Sequence, residues 1–357
     1  MTSLSQIPTA PDTTDLATLT RRVDIDACTA GNEHPRLTIA IPTFRRFDLL
    51  QEALASVFRL RFNFPVEVLV VDNDPENDEL AVEAMRPFAS QSMTYFKNRV
   101  NVGMFPNWTR CLELARGDYV TILHDDDLLE PAFAEEINRW LGPCARPGAA
   151  MAWRHGVLDE RAERPAANEQ SPLHRLQALL EPIRREVKRK SVAQLFFANP
   201  FAATLGIVLD RYKAQAMGGF DPAWYPIADY EFWCRWAAAH GPIPIAKRQV
   251  GLYRMRQNES MLPETRRAFV TKSRELRERL VAERLVPAFF GRLLDRLEQH
   301  QHAAIEDDWR VAGQAPLSRW ASARMISWRG LTALLGWAWA HQARRNRAHN
   351  RKASLSP

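Results

Sequence analysis

The sequence predicts an α/β fold: a mixed, mainly parallel sheet flanked by helices, Rossmann-like, with a helical C-terminal appendage. Three observations carry this. Short apolar runs alternate with stretches of helical periodicity from residue 37 to residue 153. Several of those runs stop in polar clusters, where buried parallel strands end at a ligand-binding edge. From residue 264 onward the periodicity is helical and charged.

Leu37–Ile41 is a buried strand that stops at Pro42. Leu49, Leu50, Ala53, Leu54, Val57 and Phe58 recur at helical spacing, and Val66–Val71 is a second strand. Strand, helix, strand makes a right-handed βαβ unit with a parallel pair. Residues 77–88 read as helix, Met93–Phe96 as strand and 105–115 as helix, with Gly117 as its stop. Tyr119–Leu123 is the next strand. Pro131–Leu141 is a helix with proline in its first turn, and Ala149–Trp153 a strand. Thr204–Leu209 reads as strand, Asp229–His240 as an aromatic-rich helix, and 264–298 as long charged helices.

The 357 residues suffice for about two domains. Residues 1–34 are polar and read as a flexible leader. Residues 35–260 form the main α/β domain, interrupted by a charged inserted loop at 154–190. Residues 261–357 are a helical region with a basic tail. Forty-eight Lys and Arg against 42 Asp and Glu leave a charge of +6, partly concentrated at Arg344, Arg345, Arg347, Arg351 and Lys352. Four scattered cysteines give neither a disulfide framework nor a zinc site, which fits a cytoplasmic chain. No signal peptide is read at the N-terminus, and no apolar run reaches a membrane-spanning length.

Polar clusters follow three strands: Pro42-Thr43-Phe44-Arg45-Arg46, Asp72-Asn73-Asp74 and His124-Asp125-Asp126-Asp127. Clusters at several strand ends converge in such a sheet. Three adjacent carboxylates repel unless donors or a cation compensate, and a hard divalent metal is the usual compensation at a buried strand end. The competing reading is a solvated turn whose aspartate caps the helix at Pro131.

These clusters, with Asn101-Val102-Gly103, Ala115–Val120, Gly218-Gly219-Phe220-Asp221, Ala228–Trp233 and Tyr253-Arg254, resemble the family 2 glycosyltransferases of the GT-A fold. The resemblance spans about residues 36–260. It implies a nucleotide-binding half at 35–153 and an acceptor half at 191–260. It implies an inverting transfer of sugar from a nucleotide-diphosphate donor, UDP- or dTDP-linked, to a glycan or lipid-linked acceptor. Bacterial cell-surface polysaccharide synthesis is the setting it suggests.

Residue by residue, the resemblance assigns Pro42, Thr43, Phe44 and Arg46 to the nucleotide, Asp72 to the base, and Asn101 and Gly103 to the turn over it. The aspartates match a DxD-type motif holding Mn²⁺ or Mg²⁺. Asp126 is the metal candidate and Asp125 a sugar or ribose contact. Asp127 supports the loop or adds a ligand. His124 stands where the family's first acid is usual; it ligates metal, contacts phosphate or packs. Asp229 matches the general base, although a helix cap is its other reading. Ala228 departs from the usual preceding glutamate. Arg254 and Arg256 are diphosphate candidates, Arg256 standing where the family commonly has histidine. Trp224 and Tyr225 are acceptor-platform candidates, and Asn199-Pro200-Phe201 lines the same side.

Trp328, Leu331, Leu334, Leu335, Trp337 and Trp339 precede the basic tail and resemble an interfacial anchor on an anionic membrane. A helix packed on the domain fits equally. Three other functions compete. A nucleotidyltransferase lacks its glycine-rich phosphate loop here. A non-catalytic nucleotide- or carbohydrate-binding relative is consistent with His124 and Arg256. Nucleic-acid binding has only the basic tail behind it, and no nucleic-acid partner is expected.

Overall fold

The computed structural model describes residues 20–22, 34–158, 187–254 and 263–312. They fall into two compact units. One comprises 20–22, 34–158, 204–222 and 246–254; the other comprises 187–203, 223–245 and 263–312.

The first unit is built on Leu37–Thr43 (β2), every residue of which is buried. A strand covered on both faces needs a continuous apolar run rather than alternation. The one polar interior residue, Thr38, is satisfied: its hydroxyl donates to Glu67 Oε2 at 2.6 Å and accepts from the Gly117 amide at 2.9 Å. Gly117 is required there, since a Cβ would lie 2.6 Å from the Thr38 nitrogen.

Val66–Asp72 (β3) and Tyr119–Ile122 (β5) flank β2, both parallel to it. Thr94–Asn98 (β4) extends the sheet in parallel beyond β3. Chain order therefore runs outward from β2 to one side and then jumps to the other. That reversal opens a crevice at the carboxyl ends of β2, β3 and β5, where open α/β sheets bind ligands. Register places Thr43 opposite Asp72 and Ala40 opposite Ile122, so the three polar clusters leave the sheet side by side.

Phe47–Phe58 (α1) buries Leu50, Ala53, Leu54 and Val57, as its periodicity predicts. Asp78–Met85 (α2), Met104–Leu114 (α3) and Pro131–Leu141 (α4) occupy the expected stretches. Ile207–Asp210 (β9) pairs antiparallel with β5 and with Ala150–Leu158 (β7), and the short helix Arg211–Ala216 (α6) follows it. The sheet is thus mixed: parallel from β4 through β3 and β2 to β5, and antiparallel at β9 and β7.

Four strands escape the sequence reading, one of them Lys188–Lys190 (β8), within the stretch read as an inserted loop. Thr20–Arg22 (β1), within the stretch read as leader, pairs antiparallel with β4. Leu128–Leu129 (β6) has only two residues and pairs with Gly251 and Leu252 of Ile243–Arg254 (β10). Pro244 and the exposed Lys247, Arg248 and Gln249 mask β10. The inserted loop begins later than expected, because β7 runs on to Leu158.

In the second unit, Lys188–Lys190 (β8) pairs with Ile243–Ile245. Val192–Leu195 (α5) starts with a capping box between Ser191 and Gln194. Ala228–His240 (α7) is buried almost all round, including Tyr230, Phe232, Trp233 and Trp236. Pro263–Ala282 (α8) and Leu294–Ala312 (α9) cover the charged helical stretch, broken near Arg284, whose φ is +58°. Fully buried Arg277 ties these pieces together through the Phe196 carbonyl and Gln301 Oε1, both at 2.8 Å.

No helix among the described residues is long and apolar enough to cross a membrane. The tryptophan-rich segment and the basic tail lie outside the described residues, as does the centre of the inserted loop.

Candidate active site

The acidic cluster follows β5 directly. Asp125, Asp126 and Asp127 are 1%, 5% and 1% exposed, so this is no solvated turn. Arg46, at the end of the β2 cluster, supplies the compensation. Its guanidinium pairs with Asp125 and sits 2.9 Å from Asp126. Thr43 Oγ1 also donates to Asp125 at 2.8 Å. Burial pushes the Asp125 carboxyl up to about 6 despite Arg46.

Asp127 takes another role. It accepts the Arg254 amide at 3.1 Å, and its Oδ2 is buried without a hydrogen-bond partner among the described residues. Burial, then the neighbouring Asp126 charge, raises its pKa to about 8. His124 Nδ1 lies 3.8 Å from that same oxygen. Burial lowers the imidazole to about 4, so it is neutral at pH 7. One ligand atom from each of His124, Asp126 and Asp127 lies within 4.8 Å of the others. A neutral imidazole, the Asp126 carboxylate and an Asp127 carboxyl that a bound cation would hold ionised fit a divalent cation.

Arg254 closes the cluster from β10. Its Nε donates to the Asp126 carbonyl at 2.9 Å and its terminal nitrogen to Glu52 at 2.6 Å. The side chain is buried and braces the acidic loop. Arg256 lies outside the described residues.

Asp72 ends β3 fully buried. Oδ1 accepts the Asp74 amide, and Oδ2 accepts the Tyr95 hydroxyl, both at 2.9 Å. Buried Lys97 lies 3.6 Å from Oδ2. Burial raises the Asp72 pKa, and the amide, hydroxyl and ammonium oppose that rise. Beside it, Asn73 pins the next loop: its Nδ2 donates to Asn101 Oδ1 at 2.7 Å, and its Oδ1 accepts the Val102 amide at 3.0 Å. Gly103, at φ +88°, then starts α3 in a conformation open to glycine. Phe44 is 39% exposed, with the Arg45 guanidinium 5.1 Å from its ring centroid.

In the second unit, Asp229 stands in the first turn of α7 and is 8% exposed. Asn199 Nδ2 donates to Asp229 Oδ2 at 3.3 Å. Burial raises the carboxyl to about 6, in the range of a working base. Trp224 is buried, with Lys272 and Arg279 each 5.4 Å from its ring centroid. Tyr225 is 38% exposed.

The first unit thus brings together Pro42, Thr43, Phe44, Arg46, Asp72, Asn101, Gly103, His124, Asp125, Asp126, Asp127 and Arg254. Asp229, Trp224 and Tyr225 belong to the second unit. The sequence reading overlooked Tyr95, Lys97, Glu52 and Thr204, which act through partners distant in the chain.

Residues 38–191 match the model of glycosyl transferase family 2. This domain belongs to that family. The glycosyltransferase domain also has curated relatives. A GalNAc(5)-diNAcBac-PP-undecaprenol beta-1,3-glucosyltransferase of Campylobacter jejuni is 33% identical over 97 residues, covering 27% of this chain and 31% of its own. An uncharacterized protein of Mycobacterium tuberculosis is 25% identical over 208 residues, covering 56% of this chain and 61% of its own. The chain therefore spans less than two thirds of either relative. Among solved structures, mannosyltransferase PcManGT from Pyrobaculum calidifontis, in complex with GDP-Man and Mn²⁺, has a TM-score of 0.48 at 16% identity. That alignment covers 88% of this chain and 85% of the other.

Proposed function

We propose that this protein is an inverting, metal-assisted glycosyltransferase, moving a sugar from a nucleotide-diphosphate donor to a hydroxyl of a glycan or lipid-linked acceptor. The observation that carries the reading is the buried His124, Asp126 and Asp127 group beside Arg46, at the crevice where three parallel strands end. UDP- or dTDP-linked donors are favoured, and bacterial cell-surface polysaccharide is the proposed product. The undecaprenol in the Campylobacter relative's name supports a lipid-linked acceptor.

In this reading Thr43, Phe44 and the Asn101–Gly103 turn hold the nucleoside, and Asp72 fixes the base. Asp126 and His124, with Asp127, hold Mn²⁺ or Mg²⁺. When bound, such a cation neutralises the departing diphosphate. Arg46 and Asp125 orient the donor. Asp229 takes the proton of the acceptor hydroxyl. The hydroxyl oxygen then bonds to the sugar's C1, and the C1–O bond to the diphosphate breaks with its electron pair on phosphate. Arg254 is committed to Glu52 and the Asp126 carbonyl, which leaves Arg256 as the better candidate for the diphosphate. Tyr225 is the better acceptor platform, because cations lie over the Trp224 ring. Residues 325–357 are proposed to rest on the inner face of the cell membrane, and their deletion is expected to release the protein from anionic vesicles.

A second reading, a non-catalytic nucleotide- or carbohydrate-binding relative, draws on Arg46 lying across two of the acids. One experiment separates them. The full chain is incubated with UDP- and dTDP-sugars and a bacterial lipid extract, and the product anomer is read by NMR. Transfer with inverted configuration supports the enzyme. Retained configuration overturns the inverting mechanism, and no transfer with any donor favours the second reading.

A further inference from the structure

His124 stands where an acid is usual, and its ring is held on three sides. Trp108 packs against it, with centroids 4.4 Å apart and planes 30° from parallel. Nδ1 faces the unpartnered Asp127 Oδ2 at 3.8 Å. On the far side, Nε2 lies 3.1 Å from Thr204 Oγ1. Thr204 precedes β9 and is buried.

The proton inventory at Thr204 decides which ring nitrogen carries hydrogen. A threonine hydroxyl has one proton and two lone pairs. Its proton goes to the Ile122 carbonyl, 2.9 Å away, which can only accept. Oγ1 therefore accepts from His124, and Nε2 is the protonated nitrogen. Nδ1 is left with its lone pair directed at the acidic side of the ring. Metal-bound histidines have their tautomer fixed in this way, by an outer hydrogen bond on the nitrogen away from the ion.

We infer that Thr204 is a positioning residue that locks the His124 tautomer, so that Nδ1 joins Asp126 and Asp127 as a nitrogen ligand. This rests on the metal-assisted reading above and refines it. Replacing a carboxylate by an imidazole lowers the negative charge of the site and adds a softer donor. Imidazole suits later first-row divalent ions, whereas oxygen-only sets suit magnesium. The site therefore prefers Co²⁺ over Mg²⁺ more steeply than its His124→Asp variant does.

The test uses the full chain, with Mn²⁺ alone as probe. Affinity is read by titration, and ligand identity by ¹⁴N modulation in pulsed electron paramagnetic resonance. Wild type is expected to show one coupled imidazole nitrogen. His124→Asp retains Mn²⁺ but loses the coupling. Thr204→Val weakens Mn²⁺ by about 10- to 100-fold, while Thr204→Ser, which keeps the hydroxyl, stays near wild type and controls for misfolding. Bound Mn²⁺ without ¹⁴N coupling overturns the inference and leaves the metal site standing. Thr204→Ser behaving like Thr204→Val overturns the tautomer lock. No Mn²⁺ binding by folded wild type overturns both the inference and the metal-assisted reading.

Discussion

The guanidinium of Arg46 rests 2.9 Å from the carboxylate of Asp126, so a cation of the protein already occupies one side of the acidic cluster. The same group pairs with Asp125. Two buried carboxylates are thereby held beside a single positive charge, and any incoming divalent ion must share Asp126 with it.

Removing that charge is expected to destabilise the fold and sharpen its response to metal. Arg46→Ala leaves Asp125 and Asp126 without their counter-ion. The loss expected is about 2 kcal/mol, below the figure for fully buried pairs because Arg46 is 37% exposed. Thermal unfolding with and without Mn²⁺ reads it. The variant gains more from Mn²⁺ than wild type does; an equal gain in both would show that Arg46 and the metal do not share Asp126.

Asp229→Asn keeps the shape and the Asn199 neighbour but removes the proposed base. Donor affinity is expected to stay within about twofold, while transfer falls by roughly 10²–10⁴-fold. Wild-type kcat/KM rises with pH below about 6 and levels off above it, since Asp229 must be ionised to accept a proton. A profile flat from pH 5 to 8 removes Asp229 from the mechanism.

The same residue carries a stability cost with a definite sign. Unfolded, its carboxyl loses its proton near 3.8; folded, near 6. Between those values the folded chain binds more protons, so Asp229 makes stability fall as pH rises. Asp229→Asn should therefore be the more stable protein at pH 8, by about 3 kcal/mol. Denaturant melts at pH 4 and pH 8 check it, and an advantage that does not grow with pH speaks against the burial argument.

Asp72 reaches the crevice already engaged by Tyr95 and the Asp74 amide. Tyr95→Phe deletes one of these bonds and is expected to cost about 1 kcal/mol of stability. Asp72→Asn is expected to weaken nucleotide binding about tenfold, one charge-assisted hydrogen bond's worth. Calorimetry that finds wild-type affinity in Asp72→Asn removes Asp72 as the base contact.

The parallel core and its strand-end clusters were legible because β2, β3 and β5 are apolar runs that stop abruptly in polar residues. β10 was not, because Pro244 and Lys247–Gln249 break its apolar pattern. Asp126 and His124 announced themselves by standing in one short segment. Thr204 and Glu52 did not, since an isolated threonine or glutamate acquires meaning only when folding sets it against His124 or Arg254. The aromatic residues around Asp229 divide as helical spacing suggests. Trp233 and Trp236 are core of α7, and the Trp224 ring has Lys272 and Arg279 above it rather than open space.

The most direct measurement is calorimetric titration of UDP, dTDP, GDP and CMP into wild type and Asp126→Ala, each with and without Mn²⁺. One diphosphate is expected to bind preferentially, more tightly with Mn²⁺, with the metal enhancement lost in Asp126→Ala. Binding that ignores both Mn²⁺ and the loss of Asp126, or no binding by folded wild type, would contradict a metal-assisted nucleotide-sugar site at these strand ends.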